Sequence, residues 1–401
     1  MAIRLALEFN ATTLVSQNRE RTQIEKHMRV FLMMNPGFET AVTIAPSEPL
    51  LAEAACLLMQ DHKAFHLPRA LLSEFEGPGL DKGNRGELIC LVLLLMARDV
   101  AVQQTNPVAI EVLLFMRKLL ASKWHSNIFD SKPARSRTNE EHRSFSEVFA
   151  RSKMHFNHFI KVHDFRVINR AFLWLLIARG AAVLCADYQC GVDVLLPFLY
   201  FDNKLGRDNV SAIFIQVKND KRFSKTPYLF LFDAMNPYLL EFFDMDEQKP
   251  VPIIRMVFAL AATKACVEAV ECVVPRKHPS RRARSKGTKR ARLSPAYTAY
   301  DIWCAGTSAE TFSVVEPCDE DLYSELLKAS CLFPGVYEAE TKIESAISAR
   351  RNMNPGTAAH LDHWSWFSGG NTERPRVDGL DVDFDCQDEV VDDSVEIQDQ
   401  M

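Results

Sequence analysis

Apolar positions fall into helix-like clusters in the first half of the chain and into short unbroken runs in the second. Residues 50–59 (LLAEAACLLM) are strong helix formers, with Ser47 placed as an N-cap and Pro49 in the first turn. Residues 76–86 are glycine-rich and read as a loop that delivers Glu87 to the start of the next helix. That helix, over 88–99, is apolar almost all round, which places it inside the fold. Further helices are expected from Asn106-Pro107 to about Leu120, over 148–158, and over 165–179 with Gly180 as the C-terminal stop. Residues 1–40 also pattern as helix, up to the Asn35-Pro36-Gly37 turn. Strands are expected over 181–185, 191–201, 210–218, 227–233 and 300–305, while 251–264 reads equally as a strand or a buried helix. A short amphipathic helix over 319–330 closes the patterned part. This order predicts an α/β (α+β) protein: a central mixed sheet flanked by helices, with additional N-terminal helices.

Polar residues inside two of these runs break the pattern. Asp193 follows Gly191-Val192 at the head of Val194-Leu195-Leu196, and Gln216 and Lys218 stand in Ile213-Phe214-Ile215-Gln216-Val217-Lys218. Side chains alternate along a strand, so Gln216 and Lys218 share one face while Ile215 and Val217 share the other. Burying such groups is costly unless they are paired or bind something. An aspartate beside an oxygen donor and a lysine suits metal-assisted phosphodiester cleavage. Asp193 is a hard ligand for Mg²⁺ or Mn²⁺, Gln216 offers a second oxygen, Lys218 serves the attacking water, and Glu87 supports the metal. The plainer readings are that Asp193 caps a turn, Lys218 to Lys221 is a solvated strand end, and Glu87 is a favourable charge at a helix N-terminus. Arg85 reads as a phosphate contact or a surface arginine.

Taken together, Glu87, Asp193 and Gln216-x-Lys218 resemble the signature of the PD-(D/E)xK, or restriction-endonuclease-like, nuclease superfamily. Gln216 in place of the acid is a departure that leaves one carboxylate fewer for the metal. Ser47-Glu48-Pro49-Leu50-Leu51, Lys82-Gly83-Asn84-Arg85-Gly86-Glu87 and Gly191-Val192-Asp193 are similar to stretches of fungal proteins of the Crinkler and retrotransposon-hot-spot type. So are Ile215-Gln216-Val217-Lys218-Asn219, Met235-Asn236-Pro237-Tyr238 and Tyr300-Asp301-Ile302-Trp303-Cys304-Ala305-Gly306. The likeness spans about residues 41–335. It implies a nuclease-like domain there, preceded by a 1–40 extension and followed by a 336–401 tail. Such proteins commonly also carry a P-loop NTPase module. This chain holds no Gly-x-x-x-x-Gly-Lys-(Ser/Thr), so no such module is expected within it.

Composition narrows the partners. With 401 residues and a formal charge of −5, the chain is not a protein that coats nucleic acid along its length. The charge is unevenly spread. Residues 275–292 (PRKHPSRRARSKGTKRAR) form a basic run, and the chain is rich in Asp and Glu with no Lys from 369 onward. A second polar, basic excursion falls at 130–145. The clusters Arg281, Arg282, Arg284 and Lys289, Arg290, Arg292 read as a nuclear localisation signal for an import receptor, a DNA-contacting arm, or an inert solvated insertion. Apolar runs fall short of the roughly 20 residues of a bilayer span, and no signal-peptide pattern opens the chain. Ten scattered cysteines without a Cys-x-x-Cys pair suit buried thiols in a reducing compartment. Cys185 and Cys190 with His155, His158 and His163 offer a weaker zinc reading. The expectation is a nuclear nuclease-like protein acting on nucleic acid, most naturally DNA. The alternative is an inactive nuclear effector or nucleic-acid-binding protein that retains the fold. The effector resemblance adds unconventional secretion into a host cell as a further location.

Overall fold

The computed structural model describes residues 3–328 apart from 7, 12–20, 23, 27, 35–40, 45, 60–65, 75–81, 106–108, 137–142, 187–188, 202–205, 246–249 and 272–294. The basic run at 275–292 and the acidic stretch from 369 therefore lie outside the described residues. Near the N-terminus, where helix was expected, residues 21–22 and 24–26 are helical, while β1 (Glu8–Ala11), β2 (Val30–Met34) and β3 (Ala41–Ile44) form an antiparallel sheet in the order β1-β3-β2. Helices α1 (Pro49–Met59), α2 (Leu67–Glu74) and α3 (Lys82–Thr105) follow. Ser47 lies two residues ahead of α1 and is not its cap. Its Oγ meets His158 Nε2 at 2.9 Å and accepts from Arg179 Nε at 3.2 Å.

The main sheet is mixed. Its path runs β11 (Cys266–Val270), β12 (Ala299–Ala305), β10 (Ile253–Ala259), β9 (Val210–Lys218), β8 (Val194–Leu199), β5 (Lys153–Met154), β4 (Ile110–Glu111). The pair β6 (His158–Lys161) and β7 (Ala181–Leu184) branches from β8. The apolar run at 251–264 thus resolves as a strand. Helix α4 (Val112–Leu119) occupies only the end of the expected 106–120 helix, because β4 takes Ile110 and Glu111 into the sheet. Likewise 148–158 is not a helix. A short α6 (Phe145–Phe149), following α5 (His125–Phe129), ends there, and β5 and β6 take the rest. Ser144 and Glu147 form a reciprocal capping box at α6. Part of the expected polar excursion is tied down, since Arg135 bridges to Ala299 at the sheet and pairs with Asp233.

Both faces of the central strands are covered, which is why β9 reads as a nearly continuous apolar run. Ile213, Ile215 and Val217 join α3 in one core, together with Ile254, Met256 and Phe258. Ala212 and Phe214 join the opposite core with Leu173 and Leu176 of α7 (Arg170–Arg179) and with Trp303. Asn169 caps α7 and Gly180 ends it in the left-handed region, φ 63°, as its sequence predicts. The 227–233 run is not a strand: it forms α8 (Leu229–Ala234). Strands β9 and β10 pair in parallel, Ile213 against Ile254, so the chain must cross over between them, and the helix makes that crossing. Helix α9 (Glu320–Leu327) closes the described chain where the amphipathic pattern placed it.

Candidate functional site

The polar triad is assembled by two adjacent antiparallel strands. Val194 faces Ile215 across the β8–β9 ladder, and Asp193 stands at the end of that ladder, one residue before β8. The backbone of Asp193 extends the sheet: its N–H donates to Ile215 O at 2.9 Å and its carbonyl accepts from Cys185 N at 2.8 Å. Gly191 sets the approach. Its φ is 86°, and a Cβ there would stand 2.3 Å from Ala234 O, so only glycine fits this left-handed turn against the backbone after α8.

Side chains alternate along β9, so Gln216 and Lys218 project to the side of Phe214, away from Ile215 and Val217, while Asp193 stands just before β8, between Val192 of one core and Val194 of the other. Asp193 Oδ2 accepts from Val217 N at 2.6 Å. Burial nevertheless pushes its carboxyl up to about 6, against the favourable Val217 N–H and the Lys218 charge. Gln216 is buried, and its Oε1 has no hydrogen-bond partner among the described residues. A buried acceptor left without a donor is costly and leaves Oε1 with lone pairs to offer a ligand. Lys218 is half-buried, with Nζ 5.9 Å from the centre of the Phe223 ring.

Glu87 is placed differently from its sequence expectation. Helix α3 starts at Lys82, so Glu87 sits in the second turn rather than at the helix start. Gly83 and Gly86 are helical, and Gly86 has a packing role: a Cβ there would lie 2.8 Å from Asn219 Cβ and 3.3 Å from Val217 Cγ1. Helix α3 therefore packs on the Val217 side of β9, opposite the face of Gln216 and Lys218. The charges of Glu87 and Asp193 are still felt together, since both add to the burial that raises the Cys90 and Cys185 thiols. Arg85 is buried and donates to Leu326 O at 3.3 Å, tying α3 to α9; it is not a surface residue.

The zinc set does not come together among the described residues. His158 is engaged by Ser47 and by Asn157 Oδ1 at 2.7 Å, and His155 Nδ1 meets Ile177 O at 3.0 Å. Glu316, Cys318 and Asp319 do cluster, but Asp319 is already paired with His66 at 2.9 Å. Arg281, Arg282, Arg284, Lys289, Arg290 and Arg292 lie outside the described residues. Two features were missed. Asn219 donates to Lys82 O at 2.8 Å and to Leu327 O at 2.9 Å, binding α3 and α9 to the end of β9. Arg255 on β10 clasps Asp301 on β12 through two bonds of 2.6 and 2.5 Å and donates to Phe232 O at 2.6 Å.

One family's sequence model matches residues 14–235, more than half of the chain. The chain belongs to the DUF8736 family, a domain of unknown function. No curated protein and no solved structure matches it. The DUF8736 region contains Glu87, Asp193, Gln216 and Lys218 and ends at Met235, just past α8. The parallel strands β10 and β12 lie beyond it.

Proposed function

We propose that the protein is a metal-dependent, nuclease-like enzyme acting on nucleic-acid phosphodiesters, related to the PD-(D/E)xK nucleases. The observation that carries the reading is the orphaned Oε1 of buried Gln216, next in the chain to the Val217 N–H that donates to Asp193 and two residues from Lys218. A carboxylate and an amide oxygen suit Mg²⁺ or Mn²⁺, which binds few protein oxygens and fills its shell with water and phosphate. Asp193 and Gln216 would hold the ion, which would lower the pKa of a bound water and offset phosphate charge. Lys218 would orient that water, and Glu87 would add negative charge near the metal. Ionising Asp193 through about pH 6 sets the lower limit for metal binding.

Gln216 also favours a second reading, in which the fold binds nucleic acid without cutting it, because the site has one carboxylate fewer than a two-acid centre. The basic run at 275–292 adds a nuclear address, with an import receptor as partner, to either reading. No described helix is long and apolar enough to cross a membrane. The discriminating experiment is nicking of supercoiled DNA with Mg²⁺ or Mn²⁺ by the full chain, Asp193→Ala and Lys218→Ala, beside a metal-free gel shift. Nicking lost in both variants supports the enzyme. A gel shift with equal background nicking in all three supports the binding protein.

A further inference from the structure

Beyond Lys218 the chain does not enter α8 directly. Residues 219–228 fold into a loop pinned to the sheet by Trp303, whose Nε1 donates to Ser224 O at 3.0 Å, and closed on itself by Tyr228 OH, which donates to Arg222 O at 3.2 Å. Three rings run outward from the candidate site along this loop. Phe223 lies beneath Lys218, Tyr228 packs on Phe223 at 5.3 Å, and Phe230 packs on Tyr228 at 6.1 Å. The series becomes more exposed as it leaves the site. Phe223 is half-buried, Tyr228 is 37% exposed and Phe230 is 61% exposed. A helix of this size normally turns its phenylalanines inward, as Phe232 does two residues later.

A shallow depression beside these rings is lined by Lys221, Phe223, Lys225 and Lys264 with the hydroxyls of Ser224, Thr226 and Thr263. The three lysines are exposed, and no ion pair engages them among the described residues. The neighbouring Asp220 is already neutralised, by Arg222 at 3.4 Å and Lys82 at 3.7 Å. The surface is thus positive and hydroxyl-lined, with accessible aromatic faces at one side.

We propose that this surface is the docking track for a single-stranded nucleic acid: bases stack on Tyr228 and Phe230, and the backbone phosphates pass over Lys221, Lys225 and Lys264. Charge complementarity selects a polyanion. The exposed rings select unstacked bases, because a duplex keeps its base faces inside its own stack. The track begins under Lys218, so a strand bound on it runs toward Asp193 and Gln216. That orientation rests on the nuclease-like reading above, whereas the binding itself does not.

The test is anisotropy of short labelled oligothymidine, oligouridine and a duplex, with the full chain in EDTA, so that no cleavage is needed. Single strands should bind more tightly than the duplex. Tyr228→Ala and Phe230→Ala should each weaken single-strand binding about 10-fold and leave the duplex unchanged. Removing Lys221, Lys225 and Lys264 together should flatten the slope of log affinity against log salt by about 2. Phe230 is the more exposed ring, so Phe230→Ala, with its melting temperature checked, keeps the test independent of folding. Single-strand binding absent from the wild type, or unchanged in these variants, overturns the proposal. So does preferential capture of an anionic vesicle over the oligonucleotides. Binding without nicking would sink the catalytic reading alone; nicking without this binding would sink the track alone.

Discussion

Replacing Asp193 by Asn should make the protein more stable at neutral pH. In the folded chain burial raises this carboxyl to about 6, from an ordinary 3.8. A raised value means that the favourable contribution is complete below pH 3.8 and is lost as pH rises through about 6. Above that, the fold carries a desolvated charge that the unfolded chain solvates freely. At about 1.4 kcal/mol for each tenfold change in proton affinity, the charge costs on the order of 3 kcal/mol. Asn retains the shape, and its Oδ1 still accepts the Val217 N–H that Oδ2 of Asp193 accepts at 2.6 Å. Urea denaturation should therefore show the Asn variant more stable by up to about 3 kcal/mol near pH 7.5 and equal to the wild type near pH 4. Millimolar Mg²⁺ or Mn²⁺ should raise the wild-type midpoint, by mass action on the folded state, and leave the variant unmoved. An Asn variant that is no more stable at neutral pH would refute the reasoning, because Asp193 would then be an ordinary solvated turn residue.

Other perturbations separate the supports of the site from the site itself. Gly191→Ala should cost more than about 2 kcal/mol in chemical denaturation, since its Cβ meets Ala234 O at 2.3 Å in a backbone of φ 86°. Asp301→Ala leaves the Arg255 guanidinium buried without its carboxylate and should destabilise by about 3–5 kcal/mol, read from the same denaturation midpoints. Burial, with the Arg179 and Arg4 charges, lowers His158 to about 4, so its neutral form holds the fold. Its contribution is complete above pH 6.5 and falls by about 3 kcal/mol as pH drops to 4; His158→Gln should remove that slope from a melting-temperature profile.

Much of the sheet was legible because β8, β9 and β12 are apolar runs buried on both faces, and Gly180 marked the end of α7, whereas the run that forms β10 left strand and helix open. The misread segments share a cause. Residues 148–158 mix apolar and polar positions and 227–233 is a short apolar run, and in neither does the period separate strand from helix, so only the tertiary setting decided them. The start of α3 was hidden because Gly83 and Gly86 signal a loop, whereas Gly86 is there to let the helix touch Asn219 and Val217. At the candidate site, polar residues inside apolar runs were the signal that singled out Asp193, Gln216 and Lys218. The same signal stood at Arg255 and Asp301 and went unread. Register was not legible, so neither was the contact that brings Asp193 to the Val217 N–H. The aromatic track depends on how 219–230 folds back onto Trp303, which no local pattern encodes.

The central claim is that Asp193, Gln216 and Lys218 form a metal-dependent phosphodiesterase centre. Supercoiled DNA incubated with the full chain tests it, with Mg²⁺ or Mn²⁺ against EDTA and with Asp193→Ala and Lys218→Ala in parallel. The account predicts open-circular product that requires the metal, rises as pH passes about 6, and disappears in both variants. Metal-independent nicking, or equal nicking by wild type and variants, would contradict it.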